Sequence, residues 1–283
     1  VLPLALLGTL LLPLAGFAVG WVYLRFGQKV EAGNNLLIDE IHNPQATVPL
    51  RMAPLVLGAT VVSHLFGASV GREGTAVQMG GALADQITHW LRLGRDERRT
   101  LLMAGISAGF ASVFGTPLAG AVFGLEVLAK GQLRHAALLP CLLAAVLADQ
   151  VGLWWGVHHT HYAIGHIPAI SVATVAAVML AGVAFGSVGQ LFARSTHALS
   201  TLMKRHIAYA PWRPFAGGVV IAAVVALSGL MGQMGQMGLT SIDVDRYLGL
   251  GLPVIVQAFE QPLPAHDFAG KLLVTVASLG AGF

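Results

Sequence analysis

Apolar stretches long enough to cross a bilayer recur along the whole sequence, and most are interrupted by glycine or proline. About 20 apolar residues span the hydrocarbon layer as a helix. Within that layer only helices and closed barrels satisfy every backbone polar group. Runs of this length read as helices, so the expected fold class is all-α, a polytopic membrane protein with broken and re-entrant helices. The balance of side chains agrees: 55% are hydrophobic and 10% charged, where soluble domains carry about 25% charged residues. The formal charge of +3 does not point to nucleic acid, because the basic residues are scattered between apolar segments and read as topology signals. The single Cys141 excludes an internal disulfide framework and a cysteine-based metal site. All 283 residues are expected to form one transmembrane domain. The chain opens on Val1 in apolar sequence without a signal-peptide pattern and closes on the glycine-rich Ser278–Phe283, so it is expected to be a piece of a longer protein.

The stretch Gly71-Arg72-Glu73-Gly74-Thr75-Ala76-Val77-Gln78-Met79-Gly80-Gly81 puts an arginine and a glutamate among glycines at the start of an apolar segment. Ionisable groups in such surroundings are costly and mark a functional site by default. The glycines allow close backbone approach, and a helix starting here aims free N–H groups outward, which is the chemistry of an anion site. Glu73 would compete with the anion for it. The structural alternative is that Arg72 and Glu73 neutralise each other and tie two helices together.

In chain order, Val1–Phe26 reads as a spanning helix that Pro13 would kink. Gly33-Asn34-Asn35 suits a turn feeding a short helix, with either asparagine as a cap. Val48–Phe66 and the segment from Gly71 to about Trp90 are the next helices. Arg92, Arg95, Arg98 and Arg99, with Asp96 and Glu97, read as a basic cytoplasmic loop. Thr100–Val113 is a small-residue helix, and its Ala104–Gly109 spacing favours close packing. After Phe114-Gly115-Thr116 the helix is expected to restart at Pro117 and run through Gly120 to Glu126, a carboxylate near the basic run Lys130–Arg134 with an interfacial or capping role.

Leu138–Trp155 spans again and leads into His158-His159-Thr160-His161 and His166. Clustered histidines can bind zinc. With no carboxylate or cysteine beside them, a solvated loop and no metal is the reading taken. Ile170–His197 is a long helix, followed by Lys204, Arg205 and Arg213 on a second basic loop. Phe215–Met231 spans back to a flexible Gly232–Gly238 linker. Shorter segments begin at Gly249 and at Asp267. Interrupted helices of varied length suit transporters and channels with mid-membrane sites, and similar stretches near Gly71 and Gly280 hint at an internal repeat.

With these motifs in order, the sequence resembles the CLC family of chloride channels and proton-coupled anion antiporters over nearly its whole length. Gly71-Arg72-Glu73-Gly74 resembles the family's Gly-Arg-Glu-Gly-Pro, with Thr75 in place of proline. Phe114–Glu126 resembles its Phe-Asn-Ala-Pro-Leu-Ala-Gly segment. Gly33-Asn34-Asn35-Leu36-Leu37 stands where the family has Gly-Ser-Gly-Ile-Pro, and Gly280–Phe283 approaches a later glycine-rich turn. Asn34, Thr75 and Val127 (where many exchangers carry a second glutamate) together resemble the fluoride/proton antiporter branch. An asparagine amide offers two N–H donors where serine offers one O–H, which suits a small, strongly hydrated anion.

The resemblance implies an inverted-repeat architecture, with residues 1–155 as the first repeat and 166–283 as the start of an incomplete second. It implies fluoride or chloride and protons as partners, a lipid surrounding, a homodimer and no cofactor, in a bacterial inner membrane. It makes Glu73 the gating and proton-carrying group, Gly33, Asn34, Asn35, Gly71, Arg72, Gly74 and Thr75 the anion site, and Gly115, Pro117, Gly120 and Glu126 structural. The alternatives are a chloride channel or chloride/proton exchanger, and an intramembrane enzyme built on Glu73 or Glu126 with the histidines. The enzyme lacks any nucleophile or metal constellation at a defined spacing, so the chain is read as a transporter.

Overall fold

In the computed structural model the described residues are 8–44, 47–126, 135–160, 162, 167–235 and 244–283. Their regular structure is helical throughout. In order come α1 (Leu12–Phe26), α2 (Asn34–His42), α3 (Met52–Leu65), α4 (Glu73–Trp90), α5 (Arg95–Phe114), α6 (Pro117–Glu126), α7 (Leu138–Trp154), α8 (Val172–His206), α9 (Trp212–Gly235), α10 (Leu252–Glu260) and α11 (Ala265–Ala281), with 3-10 turns at Val30–Ala32, His135–Ala137 and Val244–Tyr247. Among the described residues two helices, at His135–Trp154 and Val172–His206, are long and apolar enough to cross a membrane by length and composition. Val127, the Lys130–Arg134 run, His161, His166, and the glycine–methionine residues after Gly235 lie outside the described residues, as do the first seven residues of the expected first span.

The chain forms two compact units. One comprises residues 22–61 and 71–160 and is built around the crossing of α4 and α5. Glycine makes that crossing possible. A Cβ at Gly80 would strike the carbonyl of Gly105, one at Gly105 would strike Ala84 and Gly80, and one at Gly109 would strike the carbonyl of Ala76. The two backbones therefore touch, as small-residue helix interfaces in membranes do. Leu37, Met52, Leu102 and Ile106 fill the core around this contact.

A charged cluster is buried in the same unit. The Arg98 guanidinium donates to both carboxylate oxygens of Asp85, at 2.6 and 2.9 Å, and to Glu40 at 3.2 Å. All three residues are under 9% exposed. Asp85 also accepts the Val48 N–H at 2.6 Å. Removing one member of such a cluster typically costs 3–5 kcal/mol, about the worth of leaving a charge uncompensated.

The other unit comprises residues 1–21, 62–70 and 161–283. Its core joins Leu12, Ala68, Val70, Ile221, Val225, Tyr247 and Val274. Lys271 on α11 donates to Ser69 Oγ at 2.8 Å and to the carbonyls of Tyr247 and Gly249 at 3.0 and 2.6 Å. Ser278 Oγ accepts the Ser69 N–H at 3.1 Å. Arg246 pairs with Asp267 at 3.2 Å. None of α8's 35 residues is buried.

Several expectations are corrected. The expected first span is interrupted at Leu11, just ahead of Pro13, with helix at residues 8–10 and α1 starting at Leu12, because proline has no N–H to give the preceding turn. Helix α3 starts at Met52 rather than Val48, since Asp85 and Gln86 take the N–H and carbonyl of Val48. The supposed basic loop shrinks to the turn around Arg92, and Arg95, Arg98 and Arg99 all lie on α5. Helix α5 starts early because Glu97 reaches back to the Gly94 N–H at 2.8 Å. Lys204 and Arg205 sit in the last turn of α8, where positive charge meets the negative helix end, and Arg213 sits in the first turn of α9. Residues 232–235 of the expected linker continue α9.

Gly80→Ala should lower stability by about 2 kcal/mol through overpacking. Gly58→Ala, where a Cβ meets open space, should leave it unchanged or slightly higher. Apparent melting temperatures in detergent compare the two.

Candidate functional site

Two helix N-termini of the first-described unit define the site. Helix α4 starts at Glu73, with Arg72 ahead of it and no side chain capping its free N–H groups. Such a terminus carries roughly half a positive charge. The Glu73 carboxylate is folded back over its own helix start, so that a Cβ on Gly71 would collide with Glu73 Oε2. Gly71 is therefore required by a close approach, and the anion nearest this N-terminus is the protein's own. Glu73 is half-buried and Arg72 is exposed. Among the described residues no ion pair joins them, so mutual neutralisation does not describe this geometry.

Helix α2 starts at Asn34 after Gly33, whose φ of 58° and ψ of −129° belong to glycine. Neither asparagine caps this helix; its N-cap is Gly33, without a side-chain bond. The point a Cβ would occupy on Gly74 lies 3.7 Å from Asn34 Nδ2 and 3.8 Å from Gln78 Nε2. The same point on Gly33 lies 3.3 Å from Gln78 Nε2. Two carboxamides thus meet over the starts of α2 and α4. Sequence reasoning missed Gln78, although its position one helical turn after Gly74 places it on the same face.

The remaining candidates sort by position. Asn35 is exposed on the first turn of α2. Thr75 Oγ1 bonds Thr60 Oγ1 on α3. Gly115 ends α5 in the left-handed conformation at φ 66°, and Pro117 opens α6 as expected. Gly120 lies against the carbonyl of Ser107 and the side chain of Ala111, which fixes α6 on α5. Glu126 is exposed at the end of α6, away from this grouping in the sequence of contacts described.

The histidines need a correction. His159 Nε2 lies 4.0 Å from Asp149 Oδ1, its side chain is only 13% exposed, and its ring covers Gly115. A carboxylate does accompany the cluster, and His159 is not a solvated loop residue. Asp149 sits ten positions back, within an apolar helix, so spacing gave no warning. Among the described residues no group of three or more metal-ligating side chains forms.

Short helices broken at glycine and proline, with N-termini turned to a shared polar point, define a membrane transport fold. The comparisons specify it. The chain belongs to the voltage-gated chloride channel family, whose model matches residues 15–283. It is 62% identical over 274 residues to a chloride/fluoride channel protein of Pseudomonas syringae pv. tomato, covering 96% of this chain and 59% of that one. It is 33% identical over 129 residues to an H(+)/Cl(−) exchange transporter ClcA of Vibrio cholerae, covering 44% of this chain and 27% of that one. A crystal structure of a CLC-type fluoride/proton antiporter superposes with a TM-score of 0.86 at 33% identity, covering 97% of this chain and 66% of that one. The chain thus spans 59% of the length of the Pseudomonas relative and 66% of that of the superposed antiporter chain.

Gly33→Ala should cost about 1–3 kcal/mol, because its backbone conformation is strained for any residue with a Cβ. A fall in melting temperature exceeding that of Gly58→Ala checks it.

Proposed function

We propose that this chain serves fluoride/proton exchange across the bacterial inner membrane, with Glu73 as the gating and proton-carrying carboxylate. The observation that carries the reading is the Glu73 carboxylate folded back against Gly71 at the start of its own helix, with the Asn34 and Gln78 amides meeting over Gly74 of the same first turn. Ionised, Glu73 takes the place of the anion at the positive helix end. Protonated, it loses its attraction to that end, leaves, and carries its proton as the anion enters. The two ions then exclude each other at one place, which couples their fluxes.

The donors favour a small anion. Fluoride gives up its hydration only where strong donors replace it, and the Asn34 and Gln78 amides, the Thr75 hydroxyl and the backbone N–H groups of α2 and α4 supply them. Gly33, Asn35, Gly71, Arg72 and Gly74 complete the proposed anion site. The names of the Pseudomonas relative and of the superposed antiporter support fluoride. The name of the Vibrio relative supports the second reading, chloride/proton exchange, and the word channel in the first supports a chloride channel. We also read residues 1–155 as one repeat and 166–283 as the start of its inverted partner, in a homodimer surrounded by lipid.

The protein in proteoliposomes, followed with fluoride and chloride electrodes and a pH electrode, tests this. Fluoride efflux well above chloride, with protons moving the opposite way, is expected. Glu73→Gln should reduce proton flux to the background leak while anion flux persists; undiminished proton flux sinks the mechanism. Gln78→Leu should weaken fluoride binding about tenfold or more, because a hydrogen bond to a charged group is worth roughly 1.5–3 kcal/mol. Calorimetric titration with fluoride measures it.

A further inference from the structure

The two site helices are also fastened at the end away from the site. Helix α2 has nine residues, with Asn34 first and Glu40 six positions on. At a rise of 1.5 Å per residue these lie about 9 Å apart along the helix. Glu73 and Asp85 share α4, twelve positions and about 18 Å apart. The Arg98 fork holds Glu40 and Asp85 at once. Arg99 donates from Nε and Nη2 to the carbonyls of Ile41 and His42, the last of α2. Midway between Asn34 and Glu40, Leu37 occupies the place of the missing side chain of Gly81, with Cδ1 and Cδ2 each 2.8 Å from where a Cβ would be. Helix α2 therefore rests on α4 at Leu37, with Asn34 three residues to one side and Glu40 three to the other.

We propose that Arg98 is a positioning residue for anion selectivity, working through α2, which it helps to hold in one seating on α4 at Leu37. Bridging Glu40 and Asp85 fixes that seating, and with it how closely Asn34 stands to Gly74 and the α4 N-terminus. Held so, the donors suit a small anion. With Glu40 released, the seating loosens, the donors no longer keep one spacing, and a larger anion is accommodated at the expense of the smaller. This deepens the fluoride-exchange reading and rests on it for which anion is favoured. A residue that only stabilised the fold would lower all fluxes alike and leave their ratios unchanged.

The test is a set of flux ratios in proteoliposomes for fluoride, chloride and nitrate. Glu40→Ala leaves the Arg98–Asp85 pair charge-balanced and is the first variant. Its fluoride-to-chloride ratio should fall about tenfold, with fluoride flux lost and chloride flux retained or raised. Glu40→Gln, which keeps an oxygen for Arg98, should recover most of the ratio. Arg98→Lys, which keeps the charge but loses the fork, should lie between. If Glu40→Ala is not monodisperse, Arg98→Lys and Leu37→Ala carry the comparison, each expected to lower the ratio at least threefold. Monodisperse variants with ratios within twofold of wild type overturn the proposal. A wild type without fluoride preference overturns the reading of function instead, and the positioning role is then judged on the chloride-to-nitrate ratio, which should still shift.

Discussion

A helix that begins in a medium without water leaves up to four N–H groups with no carbonyl to receive them. At α4 no side chain caps them, and the Glu73 carboxylate lies folded back against Gly71 beside that end. The rest of the site follows from that one unsatisfied end. Gly71 lacks a side chain because the Glu73 carboxylate lies where it would be. Gly74 is bare because two amides converge above it. On the proposed mechanism, a fixed positive end beside a carboxylate is a device with two settings, and an anion is what distinguishes them.

Such a device works only if the helix starts stay put, and backbone contact keeps them there. Gly80, Gly105 and Gly109 let α4 and α5 touch along their axes, with no side chains between to rearrange. Interiors close-packed in this way transmit displacement rather than absorb it. The buried Arg98 cluster adds polar bonds at the other end of the same helices. Its charges are expensive to bury, and the geometry they impose is specific, which a greasy contact of equal area would not be.

The breaks in this fold were legible because they rest on local chemistry. Glycines at 33, 71 and 115 and proline at 117 forbid or permit particular backbone angles, and the helix starts at Glu73 and Pro117 fall where the residues put them. The charged residues were harder to read. Arg98 looked like part of a solvated basic loop because its partners lie 13 and 58 positions away. A buried arginine and an exposed one have the same neighbours in sequence. Asp149 was missed for the same reason, being a lone acid in an apolar helix whose partner, His159, arrives after the helix has ended. Gln78 is different. Helical periodicity puts it on the face of Gly74, and only the attention given to charged residues hid it.

Helix α8 bears on something else, the depth at which its own unit sits in the bilayer. Its first 22 residues, from Val172 to Ala193, carry no charge. At helical rise they extend about 33 Å, close to the hydrocarbon thickness. Arg194 then begins a stretch that ends in Lys204, Arg205 and His206, about 19 Å of helix. Leu199, five residues past Arg194, fills the place of the missing side chain of Gly280 on α11. Helix α8 is thus tied to its unit through its charged half, and a bilayer that fits the uncharged half would set the depth of that contact.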